Sequence, residues 1–363
     1  MIYYHNKNQR RAFRMTQNYP LGKKLHLAAY LADWGDWDGN KMDVRKLTRL
    51  NYAFALVSEN RVHCDLLKKV HWIKKFKEIN PNLETFLSIG GWGADGFSDA
   101  ALTNESRNCF AETALSLLTQ HGFDGIDVDW EYPCRDYASI KARPEDRSNF
   151  TLLLKTLREK LNALEDKSGE SHPLTIAAGA AKLFADDMEL DKITPLLDTI
   201  NLMTYDFHTV GPKPGHHTNL YTSVYDKGSS AAKSVEDYVN SGVPADKIVL
   251  GAAFYGRSWS GLDPSRLPFE QSGQVGKSYS YAALKDTIID KGQFKRHWDD
   301  SAQASYLSDG SNFITYDDPE SLTCKVHFIK EKGLAGIMFW EWSEDKDNEL
   351  LNTLADIILA DII

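Results

Sequence analysis

Residues 124–133 read Asp-Gly-Ile-Asp-Val-Asp-Trp-Glu-Tyr-Pro, four acids set into an otherwise apolar run. On a β-strand, Asp127, Asp129 and Glu131 at i, i+2 and i+4 share one face, and Ile126, Val128 and Trp130 share the other. Neighbouring carboxylates in such a row sit roughly 7 Å apart. In a dry site that is too close for independent ionisation, so at least one is expected to keep a proton near neutral pH. A carboxyl that keeps its proton can serve as a general acid, which makes Glu131, Asp129 and Asp127 the candidate catalytic set. A purely structural role for all three is disfavoured, because a buried charge costs several kcal/mol unless it is paired or protonated. Asp124, at the start of the run, reads as structural. No metal is assigned, since three acids on one strand lack the His and Cys partners or the oxygen-rich loop of common metal sites. Nothing calls for a cofactor.

These acids need a frame to aim them. Short apolar runs recur along the chain at residues 26–31, 50–56, 83–89, 123–129, 174–178, 199–203, 248–253 and 334–339. Amphipathic stretches lie between them at 66–79, 106–121, 147–166, 231–241, 319–332 and 345–358. Near-continuous hydrophobic strands separated by helices indicate a parallel sheet covered on both faces, and eight such units suggest an α/β fold of the closed (β/α)₈ type, a TIM barrel. One interval breaks the rhythm. Residues 258–313 are rich in Ser, Gly, Asp and aromatics without a long helical period, too long for an ordinary loop. They are expected to form a small inserted α+β module between the seventh and eighth strands, walling one side of a cleft. The expected division is a tail over 1–24, a barrel over 25–257 and 314–363, and the module over 258–313.

In such a barrel the active site lies at the carboxyl ends of the strands. That is where Asp129 and Glu131 fall, and other strand ends carry matching groups. Trp92 follows Ser88-Ile-Gly-Gly91, Tyr205 and Asp206 follow Met203-Thr204, Tyr255 and Arg257 flank Gly256, and Trp340-Glu341 end the eighth strand. A lone Trp is usually core packing. Its recurrence at successive strand ends, with acids nearby, points to a polysaccharide groove.

Composition agrees. The chain has 363 residues, 42% hydrophobic and 11% aromatic, with a net charge of −9. Such a length supports a large single core, and the acidic balance argues against a nucleic-acid partner and for a neutral ligand. No apolar run approaches a membrane span. The four cysteines, Cys64, Cys109, Cys134 and Cys324, show no Cys-x-x-Cys pairing and read as free thiols. Residues 1–24 contain no apolar core of a secretion leader.

Together these motifs resemble glycoside hydrolase family 18, the chitinases, over residues 25–358. Asp124-x-x-Asp127-x-Asp129-x-Glu131 resembles the family signature, supported by Ser88-Ile-Gly-Gly91-Trp92, Met203-Thr-Tyr205-Asp206-Phe-His208, Tyr255-Gly-Arg257 and Met338-Phe-Trp340-Glu341. The insertion, with Trp298-Asp-Asp300 and 313–319, is similar to the chitinase-insertion module of the deep-cleft subfamily. The resemblance implies hydrolysis of β-1,4 bonds between N-acetylglucosamine units with retention, through substrate-assisted catalysis and an oxazolinium ion. It implies that Glu131 is the acid and then the base, that Asp129 holds the acetamido N–H, that Asp127 shares a proton with Asp129, and that Tyr205 binds the acetamido oxygen. Trp340 becomes the floor under the distorted sugar and Asp206 assists at the acetamido side. Trp92, Tyr255, Arg257, Tyr132, Phe54 and Met203 complete the substrate-binding set. An extracellular, monomeric enzyme acting on chitin or its oligosaccharides is expected. Two other readings stay open, a chitin-binding lectin on the same barrel and an endo-β-N-acetylglucosaminidase acting on N-glycans. Retention of Glu131 speaks against the first and the long insertion against the second. One departure stands out: after His208 relatives continue with Gly, a small residue and Trp, whereas this chain reads Thr209-Val210-Gly211-Pro212. The pair His216-His217 is not assigned to a metal.

Overall fold

The computed structural model describes residues 24–359, so the expected tail, apart from Lys24, lies outside the described residues. Eight parallel strands close on themselves: β1 (His26–Ala32), β2 (Arg49–Ser58), β4 (Glu84–Gly90), β5 (Gly125–Asp129), β6 (Leu174–Gly179), β7 (Thr199–Met203), β8 (Ile248–Ala253) and β14 (Gly336–Trp340). Closure comes from β1, which pairs with both β14 and β2. A short strand, β3 (Arg61–His63), folds back antiparallel on β2. Helices cover the outside, among them Trp72–Ile79, Asn104–His121, Asp146–Ser168, Ala231–Asn240, Pro319–Lys332 and Glu349–Leu359. None of the described helices is long and apolar enough to cross a membrane.

The strands read as unbroken apolar runs because both of their faces are buried. The first helix is shorter than its hydrophobic pattern predicts. Residues 66–71 are instead held as turns, because the buried Asp33 carboxylate accepts the backbone N–H groups of Lys68 at 2.9 Å and Lys69 at 2.7 Å. The last helix likewise starts late. Asp345 accepts the N–H groups of Glu349 and Leu351, both at 3.0 Å, and so satisfies donors that open a helix.

Between β8 and β14 stands a five-stranded antiparallel sheet in the order β10 (Gln274–Ser280), β9 (Tyr255–Ser260), β13 (Asn312–Tyr316), β12 (Ala304–Ser308), β11 (Lys295–Asp299), with one helix, Tyr281–Thr287. It has its own small core of Trp259, Leu262, Phe269 and Phe313. The sheet runs past both expected boundaries. Tyr255 and Arg257, expected at a barrel strand end, lie on β9, which a single residue, Phe254, separates from β8.

A buried ion pair fixes this sheet to the barrel. The fully buried Lys325 ammonium donates to Asp317 at 2.6 Å and to Thr218 at 2.7 Å. Asp317 also accepts Ala253 N–H, from the end of β8, at 3.0 Å and the Ser321 hydroxyl at 2.7 Å. The cluster therefore joins β8, the loop after β7, the end of β13 and the helix Pro319–Lys332.

Candidate active site

Strand β5 carries the acids as the alternation predicts. Ile126, Val128 and Trp130 point outward into the helix layer, where Trp130 stacks on Phe97 at 5.4 Å and meets Phe150 edge-on. The opposite face enters the barrel. Register sets Ser88 of β4 and Thr175 of β6 beside Asp127. Asp127 accepts hydrogen bonds from Ser88 at 2.7 Å, Tyr30 at 2.9 Å, Thr175 at 2.6 Å and Asn201 at 3.0 Å. Burial pushes its carboxyl up and these donors pull it partly back. Asp127 does not line the cleft but lies beneath it, its oxygens held by these four donors.

Asp129 and Glu131 are handled differently. Asp129 is buried, its Oδ1 has no hydrogen-bond partner, and burial together with the nearby Glu131 and Asp127 charges holds its carboxyl well above the ordinary range. Burial likewise raises Glu131 to about 7; the Asp206 charge adds to the rise and Tyr132 draws it back. Backbone crowding permits this approach only with glycine on the neighbouring strand. Gly90 has φ +121°, and a Cβ there would come within 2.0 Å of the Asp129 carbonyl oxygen. Asp124, at the other end of β5, accepts Lys77 at 2.6 Å and Thr85 N–H at 2.8 Å and is structural.

The facing wall holds a paired acid. Asp206, in left-handed conformation at φ 57°, accepts Arg257 Nε at 2.9 Å and Nη2 at 2.8 Å, and the His217 ring lies 3.6 Å away. Although burial opposes it, these partners hold Asp206 well below the usual carboxylate range. His216 turns to Asp299 at 3.3 Å instead, so the adjacent histidines serve different acids. Tyr205 is edge-on to Tyr255, and among the described residues its hydroxyl is within bonding reach of the Met338 sulfur alone, at 3.9 Å. That leaves the hydroxyl available to a ligand.

Aromatic rings complete the cleft. Trp340 stacks on Phe54 at 5.5 Å and 11°, and Trp34 approaches both rings at 6.3 and 6.1 Å. Across the cleft Tyr132 stacks on Phe184 at 4.0 Å, with Trp92 and Tyr137 beside it. The cleft measures about 1120 Å³, and apart from Asp127 every expected site residue lines it, including Met203. It also contains residues that the sequence reading did not select: Trp34, Tyr137, Phe184 and Glu344. Trp34 had a signal, since it follows β1 as Trp92 follows β4. Phe184 had none, because it sits in the short helix Lys182–Asp186. On the loop after β7, Thr209 and Val210 reach the cleft where an aromatic was expected and missing, and Val210 is 81% exposed.

Comparison with known proteins places this geometry. The family model for glycosyl hydrolases family 18 matches residues 26–345. Chitinase A1 of Niallia circulans is 40% identical over 308 residues, covering 78% of this chain and 44% of that protein. Endochitinase 1 of Metarhizium robertsii is 36% identical over 289 residues, covering 77% of this chain and 65% of that protein. The chain thus spans less than two thirds of the length of these curated relatives. Among solved structures, a glycoside hydrolase family 18 N-acetylglucosaminidase from Paenibacillus barengoltzii superposes with a TM-score of 0.85 at 40% identity, over 92% of this chain and 99% of that one. An eight-stranded barrel with this acid row at the end of its fourth barrel strand, matched by the family model from β1 to the turn after β14, belongs to glycosyl hydrolases family 18.

Proposed function

We propose that this chain is a chitinase that hydrolyses β-1,4 linkages between N-acetylglucosamine units with retention of configuration. The observation that carries the reading is Glu131, a cleft carboxyl raised to about 7 with no cation beside it. Such a group still holds a proton near neutral pH and can deliver it to a glycosidic oxygen. In the proposed sequence Glu131 protonates the leaving oxygen while the substrate's own acetamido carbonyl attacks the anomeric carbon. The C–O bond to the leaving sugar breaks and a cyclic oxazolinium ion forms. Asp129, whose Oδ1 is unpartnered, accepts the acetamido N–H, and the Tyr205 hydroxyl donates to the acetamido oxygen, fixing its angle of attack. Glu131 then takes a proton from water as the water opens the ring.

Asp127 touches no substrate in this reading. It is a positioning residue whose charge, fixed by four donors, acts on Asp129. Trp340 and Phe54 form the floor under the reacting sugar, Asp206 assists at the acetamido side, and Trp92, Tyr132, Tyr255, Arg257 and Met203 meet neighbouring units. The sheet from β9 to β13 serves as the chitinase-insertion module that raises one cleft wall. The enzyme works as a monomer on extracellular chitin or its oligosaccharides, without cofactor or metal.

The test is hydrolysis of a soluble N-acetylglucosamine hexamer by the wild type and Glu131→Gln, with products resolved by size and anomer. Early β-anomeric products, absent in the variant while hexamer binding persists, support the reading, and their sizes give the cleavage pattern. Binding without hydrolysis by the wild type would indicate a lectin. Neither binding nor hydrolysis of the hexamer would move the substrate to N-glycans.

A further inference from the structure

Two glutamates close the turn after β14, and only one of them is satisfied. Glu341 accepts the Ala32 N–H at 3.4 Å and the Ser343 N–H at 3.0 Å, so it holds the turn against the end of β1. Glu344 does no such work. It lines the cleft beside Trp340, Asp206 and Arg257, and its Oε2 is buried without a hydrogen-bond partner. A buried polar atom left unpaired in a binding cleft is what a ligand group would complete.

We infer that Glu344 is a substrate-binding residue whose carboxyl donates a hydrogen bond to the acetamido carbonyl oxygen of the sugar unit next to the one on Trp340. This rests on the chitin-type substrate proposed above. The charged groups facing Glu344 are Glu341 on its own turn, Asp206 on the loop after β7 and Arg257 on β9. On the helix Tyr281–Thr287, which packs against the turn, Lys285 is engaged by Glu349, and Tyr30 on β1 is turned to Asp127. Burial, aided by the Glu341 and Asp206 charges and opposed by Arg257, pushes Glu344 up to about 8. At pH 7 the group is therefore a neutral donor. Above pH 8 it becomes an acceptor only and can no longer hydrogen-bond a carbonyl oxygen, which has no proton to give. Affinity for the glycan then falls as pH rises, through a group that takes no part in the chemistry at Glu131.

The test measures the Kd of the hexamer by calorimetry between pH 6 and pH 9.5 in the Glu131→Gln protein, whose turnover is expected to be about 10²–10⁴-fold slower. Glu344→Gln and Glu344→Ala are then added to that background. The parent is expected to lose about tenfold in affinity from pH 7 to pH 9. Glu344→Gln, a neutral donor at every pH, should bind with a flat profile. Glu344→Ala should bind about fivefold more weakly at pH 7 and also lose the slope. A parent that binds equally well across the range, or a Gln variant that keeps the parent's slope, overturns the assignment while leaving the chitinase reading intact. Failure of the parent to bind at any pH overturns both.

Discussion

Two groups of carboxyls confront each other across one cleft, and the molecule treats them in opposite ways. On the β5 side, no cation among the described residues is paired with Asp129 or Glu131, and burial drives both carboxyls upward. On the β9 side, Asp206 keeps about a third of its side chain in contact with solvent, grips Arg257 in a two-bond pair and stays ionised. Asp317 behind that wall, with Lys325, is a second paired case. The comparison teaches that burial sets the cost of a charge, while the partner decides whether the group meets that cost by pairing or by keeping its proton. A general acid belongs to the second kind, and a rigid wall is built from the first.

The sharpest way to break this contrast is Glu131→Gln, which keeps the shape and removes the proton. Turnover should fall by about 10²–10⁴-fold with oligosaccharide binding retained; equal losses of binding and turnover would remove Glu131 from the role of acid. Next in size comes the paired side. Lys325→Met strands Asp317 as an uncompensated buried charge and should cost about 3–5 kcal/mol of stability in urea unfolding. A loss below about 1 kcal/mol would mean that this pair does not anchor the β9–β13 sheet.

Trp340→Ala takes away the stacked floor without touching an acid. Hexamer affinity should drop by about 1–2 kcal/mol in a titration, and an unchanged affinity would move the floor elsewhere. The smallest effect is a shift in pH dependence. Because Glu131 must be protonated to act, kcat/KM should decline as pH rises through about 7. Asp206 is one of the charges raising that group, so Asp206→Asn should move the alkaline limb to lower pH, by about one unit at most. A limb that stays in place would uncouple the two walls.

Much of the site was legible from spacing alone. The i, i+2, i+4 acids had to share a face, and the strand rhythm had to place their last members at the carboxyl end of a parallel barrel. The surroundings of Asp127 were not legible in the same way: Ser88, Tyr30, Thr175 and Asn201 come from four other strands to surround it, and no local pattern announces such a meeting. The same holds for the three non-proline cis peptides at 53–54, 131–132 and 340–341, where strands deliver residues to the cleft. Phe184 and Tyr137 became cleft residues through short irregular segments without a period to read. Helix starts were misjudged where Asp33 and Asp345 bind backbone N–H groups from outside the hydrophobic pattern.

By itself the sequence determined the barrel, the direction of the acid row and the residue types at the strand ends, because alternation and helical periodicity are local and follow from backbone geometry. Tertiary structure alone decided which carboxyls are paired. Arg257 lies 51 positions after Asp206, and Asp129 and Glu131 have no equivalent partner. Protonation depends on distances between groups far apart in the chain, and only folding sets those distances.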